Sequence, residues 1–221
     1  MKNDVQKFWQ NKNVLITGVN GFVGGNLAEY LVDIGAKVFG LIRNKTENSY
    51  LFYEGVDRKI TLISGALTDY KLIKGIIVEQ NIQHCFHLAA QVEVGVAREY
   101  PLLTWDTNIR GTYTLLEAIR ENKKNINSVI IASSDKAYGN YPKEKMPYLE
   151  DYPLMPRYPY DTSKACADLI AQSYASELYD IPIIITRFAN IYGPGQLNYS
   201  ALIPDCIRSA LGYTDFVPRS D

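Results

Sequence analysis

The chain is short of cysteine, of net charge and of long apolar runs, and each shortage removes a class of function. Three cysteines in 221 residues, Cys85, Cys166 and Cys206, are odd in number and widely separated. They form neither a disulfide framework nor a metal-ligand spacing, so no metal site is expected and a reducing, cytoplasmic setting is. All three read as small buried apolar residues. Lys plus Arg number 23 against 24 for Asp plus Glu, a formal net charge of −1. So even a balance offers no electrostatic footprint for nucleic acid or for an acidic membrane surface. No run approaches the roughly 20 apolar residues of a membrane-spanning helix. The first ten residues mix Lys2, Asp4 and Lys7 with Phe8 and Trp9, without the apolar centre of a signal peptide.

What is present is ample for a packed core, with 47% hydrophobic and 21% charged residues. The length suits one domain, or one domain and part of a second. The 17 tyrosines read mostly as packing residues with hydroxyls at the core edge or surface.

Short β-rich runs alternate with helical periodicity. Strands are expected over 14–17, 37–42, 59–63, 83–88, 128–132 and 183–186. Helices are expected over 22–34, 69–80 with Asp69 as cap, 102–122, 163–179 and 202–211. This alternation predicts an α/β doubly wound parallel sheet, the Rossmann fold. Two stretches depart from it: a polar loop over 43–58, and 140–159, which holds five of the ten prolines. From Phe188 onward the character changes, and the chain reads as a dinucleotide-binding domain over 1–187 carrying the catalytic residues. Residues 188–221 read as the start of a truncated substrate-binding part.

Three segments carry chemistry. Thr17-Gly18-Val19-Asn20-Gly21-Phe22-Val23-Gly24 follows the first strand and opens a helix. Gly18 allows the tight turn, Gly21 the approach of a pyrophosphate, and Gly24 close helix–strand packing. The second strand then ends Leu41-Ile42-Arg43-Asn44-Lys45, without the acid that would hold ribose hydroxyls. Arg43 and Lys45 suit a 2′-phosphate, so NAD or NADP is expected, with NADP slightly favoured. Tyr160 and Lys164 stand four apart on one helical face, where an ammonium would favour the phenolate. Ser133-Ser134-Asp135-Lys136 follows the fifth strand, where such a sheet places its binding crevice. By spacing alone that last segment is equally a turn capping the strand.

Together these segments resemble the extended short-chain dehydrogenase/reductase superfamily in its nucleotide-sugar epimerase/dehydratase branch, most closely the CDP-glucose and GDP-mannose 4,6-dehydratases. His87-Leu88-Ala89-Ala90-Gln91, Asn108-Ile109-Arg110-Gly111-Thr112 and Arg187-Phe188-Ala189-Asn190-Ile191-Tyr192-Gly193-Pro194 add to the likeness. The resemblance implies dinucleotide contacts from Gly18, Asn20, Gly21, Phe22, Val23, Gly24, Arg43, Ala66, Leu67, Leu88, Ala89, Ala90, Tyr160 and Lys164. It implies catalysis by Ser134, Asp135, Lys136, Tyr160 and Lys164, and contact of Gln91 and Asn190 with a sugar nucleotide. Tyr160 would take the 4-hydroxyl proton, Lys136 the carbon-5 proton, and Asp135 would protonate the departing 6-hydroxyl. Asp135-Lys136 stands where many dehydratases have Asp-Glu, and Ala66 where the family has an aspartate that binds the adenine amine. A homodimer is also implied. The rival readings are a 4-epimerase, which leaves Asp135 and Lys136 idle, and a non-catalytic NAD(P)-binding module.

Overall fold

The structure is a computed structural model that describes residues 2–45 and 48–217. Thr46 and Glu47 of the expected polar loop, and the last stretch of the chain from Pro218, lie outside the described residues.

Six strands form one sheet: β1 (Asn13–Thr17), β2 (Lys37–Ile42), β3 (Thr61–Ser64), β4 (His84–His87), β5 (Ser128–Ser134) and β6 (Ile183–Phe188). Their order is β3-β2-β1-β4-β5-β6, and every pairing is parallel. This is the dinucleotide-binding order, with its switch point between β1 and β4. In-register pairs Thr17–His87 and His87–Ile131 align the carboxyl ends of the central strands.

The runs of β-branched residues in these strands are buried on both sides. On one face α2 (Phe22–Asp33) and α3 (Tyr50–Tyr53) enclose Val14, Ile16, Leu31 and Leu51. On the other, α4 (Tyr70–Glu79), α7 (Gly111–Glu121) and α8 (Pro159–Ala175) enclose Leu15, Ile73, Leu115, Ile119 and Ala171. Burial at roughly 25 cal/mol per Å² of apolar surface is the main favourable contribution. The remaining helices are α1 (Lys2–Trp9), α5 (Val94–Glu99), α6 (Pro101–Trp105) and α9 (Leu202–Ala210). Asp69 caps α4 as expected, its Oδ1 accepting from the Leu72 N–H at 3.1 Å.

Several expectations need correction. Residues 43–58 are not all loop: α3 and a 3₁₀ turn at Val56–Lys59 form because Leu51 and Val56 are fully buried. The helix expected over 102–122 is α6 and α7 joined by a π turn at Asp106–Arg110, which Asn108 tethers to Gln91 and to Ser163 of α8. Helix α8 begins four residues early, at Pro159, where proline's fixed φ suits the first turn, and it ends at Ala175. Strand β5 continues through Ser134 because β6 pairs with it as far as Phe188. Of the cysteines, only Cys85 is buried, and all three are free.

Candidate active site

The Gly-rich turn lies between β1 and α2. Gly18 has φ +73°, and a Cβ there would stand 2.7 Å from the Ala89 backbone. A Cβ on Gly24 would stand 2.3 Å from the Gly18 carbonyl oxygen. Backbone is therefore packed on backbone at both places, where a side chain has no room. Gly21 is the N-cap of α2, no side chain caps the helix, and its first turn carries no acid. That leaves a helix N-terminus free of competing anions, which fits a pyrophosphate.

The other residues expected at a dinucleotide surround this turn. Asn20 donates to the Asn44 carbonyl at 3.2 Å, tying the turn to the end of β2. Arg43 is exposed there, while the Lys45 ammonium lies 5.2 Å from the centroid of the Phe52 ring. Phe22 and Val23 are half-buried in the first turn of α2. Ala66 is exposed, its carbonyl accepting from the Asp69 N–H, and Leu67 packs on Gly111. Leu88 N–H donates to the Thr17 carbonyl at 3.1 Å, and Ala89 N–H to Thr17 Oγ1 at 3.3 Å. Half-buried Ala90 follows.

Beside it stand the residues expected to do chemistry. Ser134 ends β5 and caps the 3₁₀ turn Asp135–Tyr138, its Oγ accepting from the Lys136 N–H at 3.2 Å. The same hydroxyl donates to Asp135 Oδ1 at 3.1 Å. Burial raises the Tyr160 phenol above its ordinary value, its hydrogen bond with Ser134 opposes that, and Asp135 and Asp161 raise it further. Asp161, one residue on, is raised by burial and by Asp135. Lys136 and the N–H groups of Tyr158 and Asp161 pull the other way. Asp135 and exposed Lys136 thus share one small volume with Ser134, Tyr160 and Asp161.

Lys164 differs from expectation. Its ammonium donates to the Ala132 carbonyl at 2.5 Å. Burial pulls its pKa down to about 8 against the opposing pull of Asp168. The expected lowering of Tyr160 by Lys164 is not seen, the ammonium being directed at the Ala132 carbonyl of β5.

A buried polar chain connects these parts, and the sequence reading assigned no role to its His87, Asn108, Thr112 and Ser163. Thr112 Oγ1 donates to the Asn108 carbonyl at 2.6 Å, so its oxygen accepts from His87 Nε2 at 3.0 Å. His87 Nδ1 then accepts from the Thr17 hydroxyl at 2.8 Å. Asn108 Nδ2 donates to Ser163 Oγ at 2.9 Å, and Ser163 Oγ donates to the Tyr160 carbonyl at 2.7 Å. Asn108 also receives the Gln91 N–H at 2.7 Å and donates to the Gln91 carbonyl at 3.0 Å. The Gln91 side chain accepts from Thr104 and donates to the Glu93 carbonyl. The signal for this chain was polar residues at the inner ends of apolar strands and in the apolar face of a helix.

Burial, with Lys164 adding to it, pushes His87 from 6.5 down to about 3. The ring is therefore neutral in the fold, whereas the unfolded chain takes up a proton near pH 6.5. Stability present above that pH is expected to be lost as pH falls toward about 3, by up to about 5 kcal/mol. Urea midpoints measured across this window should flatten in His87→Gln. An unchanged slope would assign the acid lability to other groups.

Asn190 is exposed in a segment that returns over the start of α2. Asn26 Nδ2 lies 3.5 Å from the Pro194 carbonyl, and Tyr50 fills the space between Gly25 and Gly195. A groove of about 310 Å³ adjoins it, lined among others by Tyr192, Tyr199, Ile203, Ile207, Leu211 and Tyr213. Among the described residues no helix is long and apolar enough to cross a membrane, and no cluster of candidate metal ligands occurs.

A doubly wound sheet with a Gly-rich turn after β1, and with Ser134, Tyr160 and Lys164 at the ends of β5 and α8, defines the extended short-chain dehydrogenase/reductase class. Residues 15–215 match the GDP-mannose 4,6 dehydratase family, and the chain belongs to it. It is 33% identical over 214 residues to the CDP-glucose 4,6-dehydratase of Salmonella typhimurium, covering 92% of this chain and 59% of that one. The dTDP-glucose 4,6-dehydratase of Bacillus anthracis, solved with NAD, is 30% identical with a TM-score of 0.77, covering 91% of this chain and 62% of that one. A UDP-N-acetylglucosamine 4-epimerase from Methanobrevibacter ruminantium is 30% identical with a TM-score of 0.79, covering 92% of this chain and 64% of that one. The chain spans about three fifths of the length of these relatives.

Proposed function

We propose that this chain is the dinucleotide-binding and catalytic part of a nucleotide-sugar 4,6-dehydratase, which makes a 4-keto-6-deoxy sugar nucleotide. The observation that carries the reading is the bond from Ser134 to Asp135 beside Tyr160. It sets a carboxyl group against the hydroxyl of the reaction centre, a group that epimerisation alone does not need. Similarity to dehydratases of three different nucleotide sugars supports it.

When bound, the dinucleotide would supply reversible hydride transfer, from sugar carbon 4 and back to carbon 6. Tyr160 takes the proton of the 4-hydroxyl, with Ser134 as its hydrogen-bond partner. The 4-ketone acidifies carbon 5, whose proton passes to Lys136 as the neutral amine, while Asp135 as the protonated carboxyl gives its proton to the departing 6-hydroxyl so that it leaves as water. Carbon 5 then regains its proton from Lys136, and the proton held by Tyr160 passes through solvent to Asp135, so that all three groups are restored. One water is lost and the dinucleotide ends unchanged. Lys164 would contact the dinucleotide, and Gly18, Asn20, Gly21, Phe22, Val23, Gly24, Ala66, Leu67, Leu88, Ala89 and Ala90 would line its path. Gln91 and Asn190 face the sugar nucleotide, and the aromatic groove beside α9 suits its base.

Residues 1–187 act as the dinucleotide domain, and 188–221 begin the substrate-binding part. Free cysteines suit a cytoplasmic setting. The exposed Leu102, Trp105, Tyr113 and Leu169 on α6 to α8 support a homodimer.

Arg43, exposed at the end of β2 with no acid beside it, suits a 2′-phosphate. NADP should bind at least as well as NAD, and Arg43→Ala should weaken NADP selectively. Titration showing a clear NAD preference, unchanged by that substitution, would reverse this assignment. The reaction itself is tested by incubating full-length protein with CDP-glucose, GDP-mannose, dTDP-glucose and UDP-glucose. A 4-keto-6-deoxy product from one of them is expected. A 4-epimer without loss of water would make the protein an epimerase, and dinucleotide binding without turnover of any would make it a binding module.

A further inference from the structure

Tyr160, Lys164, Asp168 and Gln172 follow one another at four-residue spacing, which places them on one stripe of α8. The first two belong to the reaction centre, and Asp168 continues the stripe into the core, where it is 0% exposed. Arg187 on β6 meets it with two nitrogens, Nε to Oδ2 at 2.9 Å and Nη2 to Oδ1 at 3.1 Å. Gln172 Nε2 donates to Oδ1 at 2.7 Å. A buried carboxylate and a largely buried guanidinium are costly unless both are well hydrogen-bonded, and here each makes several bonds. Arg187 Nη1 also donates to the Tyr138 hydroxyl at 2.7 Å and to the Glu150 carbonyl at 2.8 Å. The Tyr138 ring lies under the guanidinium, 4.8 Å away, and stacks on Tyr148 at 4.7 Å. The pair therefore binds together the catalytic helix, the edge strand and the proline-rich stretch leading to Tyr160.

We propose that Asp168, held by Arg187, is a positioning residue of the reaction centre that keeps Lys164 an ammonium aimed at the Ala132 carbonyl. The proposal rests on the reading of Lys164 as a catalytic group. Lys164 is 7% exposed, and an ammonium so buried persists only beside a compensating charge. The groups that bear on it are the Ala132 carbonyl on β5, His87 on β4 and Asp168 on its own helix, with Tyr160 one turn before it in sequence. Arg187 on β6 stands behind Asp168. Burial and the field of Asp168 are what act on the Lys164 ammonium, in opposite directions. Burial raises the Asp168 carboxyl, but its bonds from Arg187 and Gln172 outweigh that and hold it below the ordinary value, so it carries its charge at neutral pH.

The test follows the Lys164 side chain directly, by NMR titration of full-length protein labelled at lysine, with the resonance assigned through Lys164→Arg. Asp168→Asn should move the Lys164 midpoint down by about one pH unit or more, a tenfold loss of ammonium above that midpoint. The rate of dinucleotide reduction on adding sugar nucleotide should fall first on the alkaline side. A purely structural role would instead scale the rate equally at every pH. Should Asp168→Asn leave Arg187 unpaired and the protein unfolded, Asp168→Asn with Arg187→Gln removes both charges, a change buried pairs often tolerate. The same downward movement is expected in that double variant. An unmoved Lys164 midpoint in either folded variant overturns the proposal. The titration needs no substrate, so a failure of the dehydratase reading appears separately, as absence of turnover by the unsubstituted protein.

Discussion

Tyr160→Phe in the full-length protein should lower the rate of the first oxidation by about 10²- to 10⁴-fold, the usual contribution of a placed general base. The phenol is half-buried and sits above its ordinary value through burial, with Asp135 and Asp161 adding and Ser134 opposing. Only its deprotonated form accepts the proton of the sugar's 4-hydroxyl. The oxidation rate of the unsubstituted protein should therefore climb with pH, while that of the phenylalanine variant should be low and flat. Stopped-flow absorbance of the reduced dinucleotide measures both. The phenyl ring keeps the packing of α8 against β5, so the melting temperature should hardly change. A variant that retained the oxidation rate within tenfold, with its pH dependence intact, would move the base to another residue.

Much of this centre was legible in the sequence because strand ends and helix starts are local events. The short β-branched runs and the Gly-rich turn after the first of them specify the sheet and its switch point without reference to distant residues. The same holds for Asp69, whose carboxylate caps the helix that follows it. Residues 50–56 were illegible for the opposite reason: their polar neighbours outnumber Leu51 and Val56, whose burial depends on α2 arriving from elsewhere. The π turn at Asp106–Arg110 depends on Asn108 reaching Gln91 and Ser163, which are 17 and 55 residues away. Asp168 and Arg187 are 19 residues apart on different elements, and nothing local marks either as charged in the core. The four-residue continuation from Tyr160 through Lys164 to Asp168 was the available signal. It shows only when the helix is drawn as one stripe rather than as a motif that stops at the lysine.

The direction of Lys164 is the point at which structure most changes the sequence expectation. Four-residue spacing puts Tyr160 and Lys164 on one face, but a shared face does not set where a four-carbon side chain ends. Its ammonium reaches the Ala132 carbonyl. The sheet end, and not the tyrosine, fixes the lysine, and Asp168 behind it on α8 bears on its charge.

Lys136 separates the two halves of the proposed chemistry. It is exposed at the start of the turn after β5, where its charged form pulls the Asp161 carboxyl toward ionisation and only its neutral amine could take a carbon-5 proton. A residue that served only to bridge this turn to α8 could be removed with little effect on rate. As the carbon-5 base, it is needed for elimination and not for the step before. Hydride transfer needs Ser134, Tyr160 and Lys164, whereas loss of water also needs a proton acceptor facing carbon 5. Lys136→Ala in the full-length protein should therefore spare the first oxidation and abolish dehydration, with at least a 10²-fold loss of product formation. Reduced dinucleotide should accumulate when substrate is added, and the carbon-5 hydrogen should no longer exchange with deuterated water. Near-normal dehydration would leave Lys136 as a partner of Asp161 in a structural turn. Normal exchange at carbon 5 with dehydration blocked would keep the defect at the departing hydroxyl, beside Asp135, and would place the base elsewhere in the site.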